Sequence, residues 1–124
     1  MFSLNGIYLK NTRRMGLGVF CTDDIRAGQL IEEAIMLPIK TSDIEIGNNN
    51  PHLFTWSDDR KTWAMGCGFA PFYNHSDKPN IIKEGDLKKN RLKFIASEDI
   101  LAGEEIIGSY ISSKWRNCFK ENLV

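Results

Sequence analysis

Two stretches far apart in this chain carry the same turn. Cys21-Thr22-Asp23-Asp24-Ile25-Arg26-Ala27-Gly28-Gln29 is echoed by Ala96-Ser97-Glu98-Asp99-Ile100-Leu101-Ala102-Gly103-Glu104. Asp24, Ile25, Ala27 and Gly28 return as Asp99, Ile100, Ala102 and Gly103 at identical spacing. Aspartate and glycine are turn residues for separate reasons: one hydrogen-bonds nearby backbone, the other accepts positive φ. Each copy lies between runs of β-favouring residues, which constrains the chain to a compact β framework with internal pseudo-symmetry. Two copies are too few for a solenoid.

The remaining runs agree with that framework. Gly6–Lys10 reads as a first short strand, bounded by Asn-Gly and Asn-Thr, and Val19-Phe20-Cys21 as a second. Gln29 to Leu37 is a long run that Pro38 is expected to end. Thr41 to Asp59 is the least regular part, with a loop at Asn48–Pro51 and a short helical turn around His52-Leu53-Phe54. Trp63 to Phe69 is rich in small residues and suits a strand or loop where another backbone lies close. Ile81–Glu84 reads as a strand and Gly85–Asn90 as a polar turn. Leu92, Phe94 and Ala96 alternate with Arg91, Lys93 and Ile95, the period of a strand with one buried face. Ser112–Leu123 is the best helix candidate: a serine can cap it, and Trp115, Phe119 and Leu123 line one face.

At 124 residues the chain is sized for one domain, residues 1–124. Sixteen basic residues balance sixteen acidic ones, so there is no basic excess of the kind that marks a nucleic-acid interface. Cys21, Cys67 and Cys118 are widely spaced and odd in number. That pattern argues against a zinc cluster and for small buried residues in a reducing compartment. No window approaches a membrane span and no signal pattern opens the chain, so a soluble intracellular protein is expected.

Three stretches carry potential chemistry. Phe72-Tyr73-Asn74-His75-Ser76-Asp77-Lys78-Pro79-Asn80 places an amide, an imidazole, a hydroxyl and a proline-fixed turn together. Read alone it could simply be a well-bonded turn. His75 has no marked nucleophile or carboxylate partner, and with only His52 elsewhere the chain offers no imidazole cluster for a metal. Met15-Gly16-Leu17-Gly18 lets a backbone or ligand approach closely, or is an ordinary glycine turn before a strand. Gly103-Glu104-Glu105-Ile106-Ile107-Gly108-Ser109-Tyr110 ends in a tyrosine that is either a core residue or a functional phenol. The three in this order are far more specific than any one, and they are expected to meet in space as one site.

Together these stretches resemble the motifs of the SET-domain protein-lysine methyltransferases, in the minimal form known from a chlorella virus and some bacteria. The resemblance runs from about Ile7 to Trp115. It implies a mainly β, β-clip-like fold of short strands in which the C-terminal segment forms a pseudoknot, followed by one short C-terminal helix. It implies methyl transfer from S-adenosylmethionine to a lysine of a protein, with a histone tail as a candidate substrate, and a place in chromatin chemistry. By the same resemblance Tyr110 is the catalytic residue. Met15, Gly16, Leu17, Gly18, Tyr73, Asn74, His75, Tyr110 and Trp115 hold the cofactor, with Trp115 covering the adenine, and Leu17, His52, Met65, Cys67 and Gly108 line the lysine channel.

No metal, no direct nucleic-acid contact and no membrane contact is expected from the Cys/His pattern, the balanced charge and the lack of a long apolar run. The protein is placed in the cytoplasm, or in a host nucleus should the source be viral. The apolar tail offers surface for a homodimer. Leu17, His52, Gly108 and Ile111 depart from the family's usual residues, and the first three bear on the channel. A glycine at 108 is expected to leave room for an amine already carrying methyl groups, giving di- or trimethyl product. The alternative is a catalytically weak SET module that binds a peptide without turnover.

Overall fold

The computed structural model describes residues 6–39, 53–57 and 62–109. Within them the chain forms β1 (Ile7–Asn11), β2 (Leu17–Cys21), β3 (Leu30–Ile39), β4 (Leu53–Thr55), β5 (Trp63–Gly66), a 3₁₀ turn (Ala70–Phe72), β6 (Asn74–His75), β7 (Ile81–Asp86), β8 (Arg91–Ala96) and β9 (Glu105–Gly108). The strands make two sheets, ordered β1-β2-β9-β6 and β4-β5-β3-β8-β7. The fold is mainly β, as the resemblance implies. The predicted C-terminal helix, with Tyr110, Trp115, Cys118 and the segment expected to form the pseudoknot, lies outside the described residues, as does His52.

The echoed turns pack against each other as a pseudo-twofold pair. Ile25 and Ile100 form a two-way antiparallel bridge, N to O at 2.7 and 2.8 Å. The Ala27 amide donates to Asp99 Oδ1 at 2.9 Å, and the Ala102 amide donates to Asp24 Oδ1 at 2.8 Å. Gly28 donates to Ala96 O, and Gly103 to Cys21 O, both at 2.7 Å. The glycines have φ of +88° and +86°, a region costly for any residue with a Cβ. Each copy therefore closes the other's turn.

Period-two burial builds the core. Leu92, Phe94 and Ala96 on β8 face inward, as their alternation predicts. So do Ile81 on β7 and Ala34 and Met36 on β3, and Val19, Cys21, Ile100 and Ile106 belong to the same cluster. On β3 the register against β8 slips between Leu30 and Glu32. This bulge lets adjacent residues Ile31 and Glu32 both turn inward. The five-stranded sheet curls so far that its outer strands meet: Lys83 Nζ on β7 lies 5.9 Å from the centre of the Phe54 ring on β4.

Several local expectations are corrected. Pro38 does not end β3. The strand is laddered to β8 through Ile35 and to β5 from Met36 onward, so Pro38 lies where the ladder runs on one side and its missing N–H is tolerated. Leu53–Thr55 is a strand paired with β5, not a helical turn. Asp86 extends β7 beyond the expected turn at Gly85 because it still pairs with Arg91. Cys67 is only half-buried, whereas Cys21 is buried, with its thiol donating to Leu101 O at 3.2 Å. Burial pushes the Cys21 thiol pKa up, so it behaves as a small core residue.

Candidate active site at a three-strand junction

The three stretches singled out by chemistry are neighbouring strands of one sheet. β2 pairs antiparallel with β9 through Val19↔Ile106 and Phe20↔Glu105. On its other edge β9 pairs in parallel with β6, Asn74↔Ile107 and His75↔Gly108. Asn74-His75 is thus a two-residue strand and not a free loop. The ladder continues past it: the Ser76 amide donates to Gly108 O at 3.0 Å and the Asn80 amide to Ile107 O at 2.9 Å. Asn80 then locks the return, its Oδ1 accepting from the Ile107 amide at 2.8 Å and its Nδ2 donating to Glu105 O at 2.9 Å. The turn role open for Pro79-Asn80 in the sequence is what Asn80 performs here.

Asn74 ties all three strands together. Its Nδ2 donates to Glu105 Oε2 at 2.7 Å and to Leu17 O at 3.3 Å. Gly18 is a glycine because of this packing: a Cβ there would meet the Glu105 carboxylate and lie 2.9 Å from Asn74 Nδ2. Gly16 differs. It has φ +72° and open space where a Cβ would stand, in a loop closed by the Thr12 amide and hydroxyl donating to Gly16 O at 2.7 and 2.8 Å. Met15, Leu17 and His75 are exposed, so the backbone rim of the junction is accessible. The His75 ring lies 3.8 Å from Asp77 through Nε2.

Other expected residues are placed less simply. The Tyr73 side chain is committed: its hydroxyl donates to Glu32 Oε1 at 2.7 Å and its ring stacks on Phe94 at 4.3 Å between centroids. Burial and the adjacent Glu32 push the phenol pKa well above its ordinary value. What Tyr73 can offer a ligand is its backbone. Met65 is half exposed between buried Ala64 and Gly66 on β5.

Gly108 does not open onto free space. A Cβ there would stand 3.0 Å from Lys83 Cε and 3.4 Å from both Lys83 Nζ and Ile81 Cδ1. The room expected from the missing side chain is taken by a buried lysine. Burial holds the Lys83 amine down at about 8.

Sequence reasoning passed over Glu32, Lys83 and Glu105. The available signal was parity. Glu32 shares the inward phase of Ala34 and Met36, and Lys83 that of Ile81. Among the described residues no group of three or more His, Cys, Asp or Glu side chains is arranged to hold a metal, and no helix is long and apolar enough to cross a membrane.

The comparisons with known proteins point one way. The SET domain matches residues 16–111. A Schizosaccharomyces pombe histone-lysine N-methyltransferase specific for H3 lysine-37 is 27% identical over 111 residues, covering 86% of this chain and 74% of that protein. The Drosophila melanogaster histone-lysine N-methyltransferase trr is 30% identical over 116 residues, but the match covers only 5% of its length. Among solved structures, a Plasmodium falciparum histone methyltransferase candidate superposes with a TM-score of 0.69 at 26% identity, covering 91% of this chain and 99% of that one. An inhibitor-bound, humanized Chaetomium thermophilum Polycomb Repressive Complex 2 gives 0.72 at 25% identity over 87% of this chain and 15% of that one. With its motifs on adjoining strands and its fold shared with these structures, this chain belongs to the SET-domain family, whose matched relatives are histone-lysine methyltransferases.

Proposed function

We propose that this protein is a lysine N-methyltransferase that takes its methyl group from S-adenosylmethionine and acts on a lysine of a protein substrate. The observation that carries the reading is the β2–β9–β6 junction. Asn74 binds both Leu17 O and the Glu105 carboxylate, which brings the first, second and third motif strands to one place. The junction suits the cofactor in a specific way. Gly18 is packed from below by Asn74 and Glu105, while Gly16, Leu17 and His75 present an open backbone rim on which a polar ligand can lie. The residues that would hold S-adenosylmethionine are Met15, Gly16, Leu17, Gly18, Asn74 and His75, with Tyr73 contributing main chain, and Tyr110 and Trp115 from beyond the described residues.

When bound, the cofactor supplies a methyl group activated for direct displacement. The chain's own task is positioning and exclusion of water, which can supply several kcal/mol of barrier lowering. The incoming lysine must be neutral to attack, and desolvation against apolar walls lowers an amine pKa. The Tyr110 hydroxyl is the polar group assigned to hold the reacting methyl in line, through weak C–H···O contacts. A histone tail is the substrate to try first, given the relatives.

The test is transfer of labelled methyl from S-adenosylmethionine to histones and to peptides containing single lysines. Label on lysine is expected. Tyr110→Phe should keep the ring and lose turnover by roughly 10²–10³-fold, the effect of deleting one preorganised polar contact. Unchanged turnover in that variant removes Tyr110 from its role. One observation favours a second reading, a binding module with weak or no turnover: the Lys83 amine already occupies the space beside Gly108. Peptide and cofactor binding without transfer, by a chain with Tyr110 intact, would decide for it.

A further inference from the structure

Glu32 is 4% exposed, an unusual place for a carboxylate. Its two oxygens hold the two ends of one short segment. Oε2 accepts from the Phe69 amide at 2.9 Å and packs where a Cβ on Gly68 would stand, at a backbone φ of +64°. Oε1 accepts from the Tyr73 hydroxyl at 2.7 Å, and the Tyr73 ring is pressed on Phe94, 4.3 Å away and inclined by 17°. Between the clamped ends runs the 3₁₀ turn Ala70–Phe72, and the residue after Tyr73 is Asn74.

We propose that Glu32 is a positioning residue for the cofactor strand. From the five-stranded sheet it fixes where β6 begins, while Asn74 fixes β6 to the four-stranded sheet through Glu105 and Leu17. This rests on the reading of β6 as part of the S-adenosylmethionine site. Stability alone does not explain the carboxylate. Ala34 and Met36 share its inward phase, and an apolar residue there would avoid burying a charge. Burial pushes the Glu32 carboxyl up, which is the mark of that unfavourable burial. The geometry explains it, because a carboxylate can accept from an amide and a phenol at once in two directions.

Three variants separate positioning from bulk stability. Glu32→Gln keeps the shape but removes the charge that strengthens both bonds, its NH2 group being left to donate to the Tyr73 oxygen, and Tyr73→Phe removes the phenol. Ile100→Val, a core truncation at a 0% exposed residue of the twin turn, serves as a control for lost stability alone. The measurements are calorimetric Kd for S-adenosylmethionine, Tm, and amide hydrogen exchange.

Glu32→Gln and Tyr73→Phe should each raise Kd about tenfold, as expected for one charge-assisted bond. The double variant should be no worse than about the weaker-binding single, since the two residues act through one contact. Exchange at Asn74 and His75 should quicken while that at Ile25 does not. Ile100→Val should lower Tm and leave Kd unchanged. Wild-type Kd and wild-type exchange at Asn74–His75 in Glu32→Gln would overturn the proposal, as would a Kd loss that tracks Tm equally in Ile100→Val. Should wild type fail to bind S-adenosylmethionine, the assignment of the site falls, and exchange at Asn74–His75 decides the clamp by itself.

Discussion

The twin turns and the motif junction are built by opposite logic. In the turns every device appears twice and satisfies its counterpart. Asp24 caps the Ala102 amide and Asp99 the Ala27 amide, Gly28 mirrors Gly103, and Ile25 bridges Ile100 in both directions. Nothing there is buried at a loss. At the junction the arrangement is one-sided. Glu32 and Lys83 are charged-type side chains in the interior, and Gly18 and Gly108 are hemmed in by their neighbours. The two turns also deliver the chain into different strands. The first leads into the ten-residue β3, the second into the short β9, which takes β6 as a parallel neighbour. The same local turn therefore yields a long strand in one place and a short strand of the motif junction in the other, and the costly side chains, Glu32 on β3 and Lys83 on β7, reach from the five-stranded sheet to Tyr73 and Gly108 beside that junction.

That contrast can be broken from either end. The largest effect is expected at Lys83. An amine held at about 8 against an ordinary 10.5 implies a penalty of about 3 kcal/mol while it is charged. Its folded pKa is depressed, so the unfolded chain binds the proton more readily. The penalty is full below about pH 8 and fades as pH rises toward 10.5. The stability of wild type relative to Lys83→Met should therefore rise by about 3 kcal/mol from pH 7 to alkaline pH. Denaturant midpoints at several pH values read this, and a difference that stays flat with pH would show that burial does not hold the Lys83 amine down.

Next comes Gly18→Ala, whose Cβ would press on Glu105 and Asn74. A loss of roughly 1–3 kcal/mol, typical of overpacking, should be accompanied by weakened S-adenosylmethionine binding. Gly28→Ala and Gly103→Ala should each cost about 1–2 kcal/mol through left-handed strain, with the two values alike and cofactor affinity untouched. The smallest effects belong to Asp24→Ala and Asp99→Ala, about 1 kcal/mol each for one lost hydrogen bond. Thermal melts showing the paired variants to be unequal by more than a factor of two would break the pseudo-symmetry as an energetic statement.

The parts legible in the sequence were those set locally. The repeated Asp-Ile-x-Ala-Gly turn was readable because its chemistry lies within a few residues, and β8 because Leu92, Phe94 and Ala96 alternate cleanly. The three motif stretches were readable as a group, and the structure places their strands side by side. What was hidden depends on partners distant in the chain. Pro38 looks like a strand end until the change of partner on β3 is known. Asn74-His75 looks like a loop until β9 lies beside it. Glu32 and Lys83 look like solvent charges, since neither Tyr73 nor Gly108 is near them in sequence, and for the same reason Gly108 looked like empty room.

The central claim is that S-adenosylmethionine binds on the β2–β9–β6 junction and not elsewhere on this sheet framework. Backbone amide shifts followed by NMR during a titration with S-adenosylmethionine test it most directly. Saturable shifts are predicted at Gly16, Leu17, Gly18, Asn74, His75 and Gly108, with the turns at Asp24–Gly28 and Asp99–Ala102 left in place. Binding whose shifts fall on the twin turns and spare Asn74 and His75, or no shifts at saturating cofactor, would contradict the account.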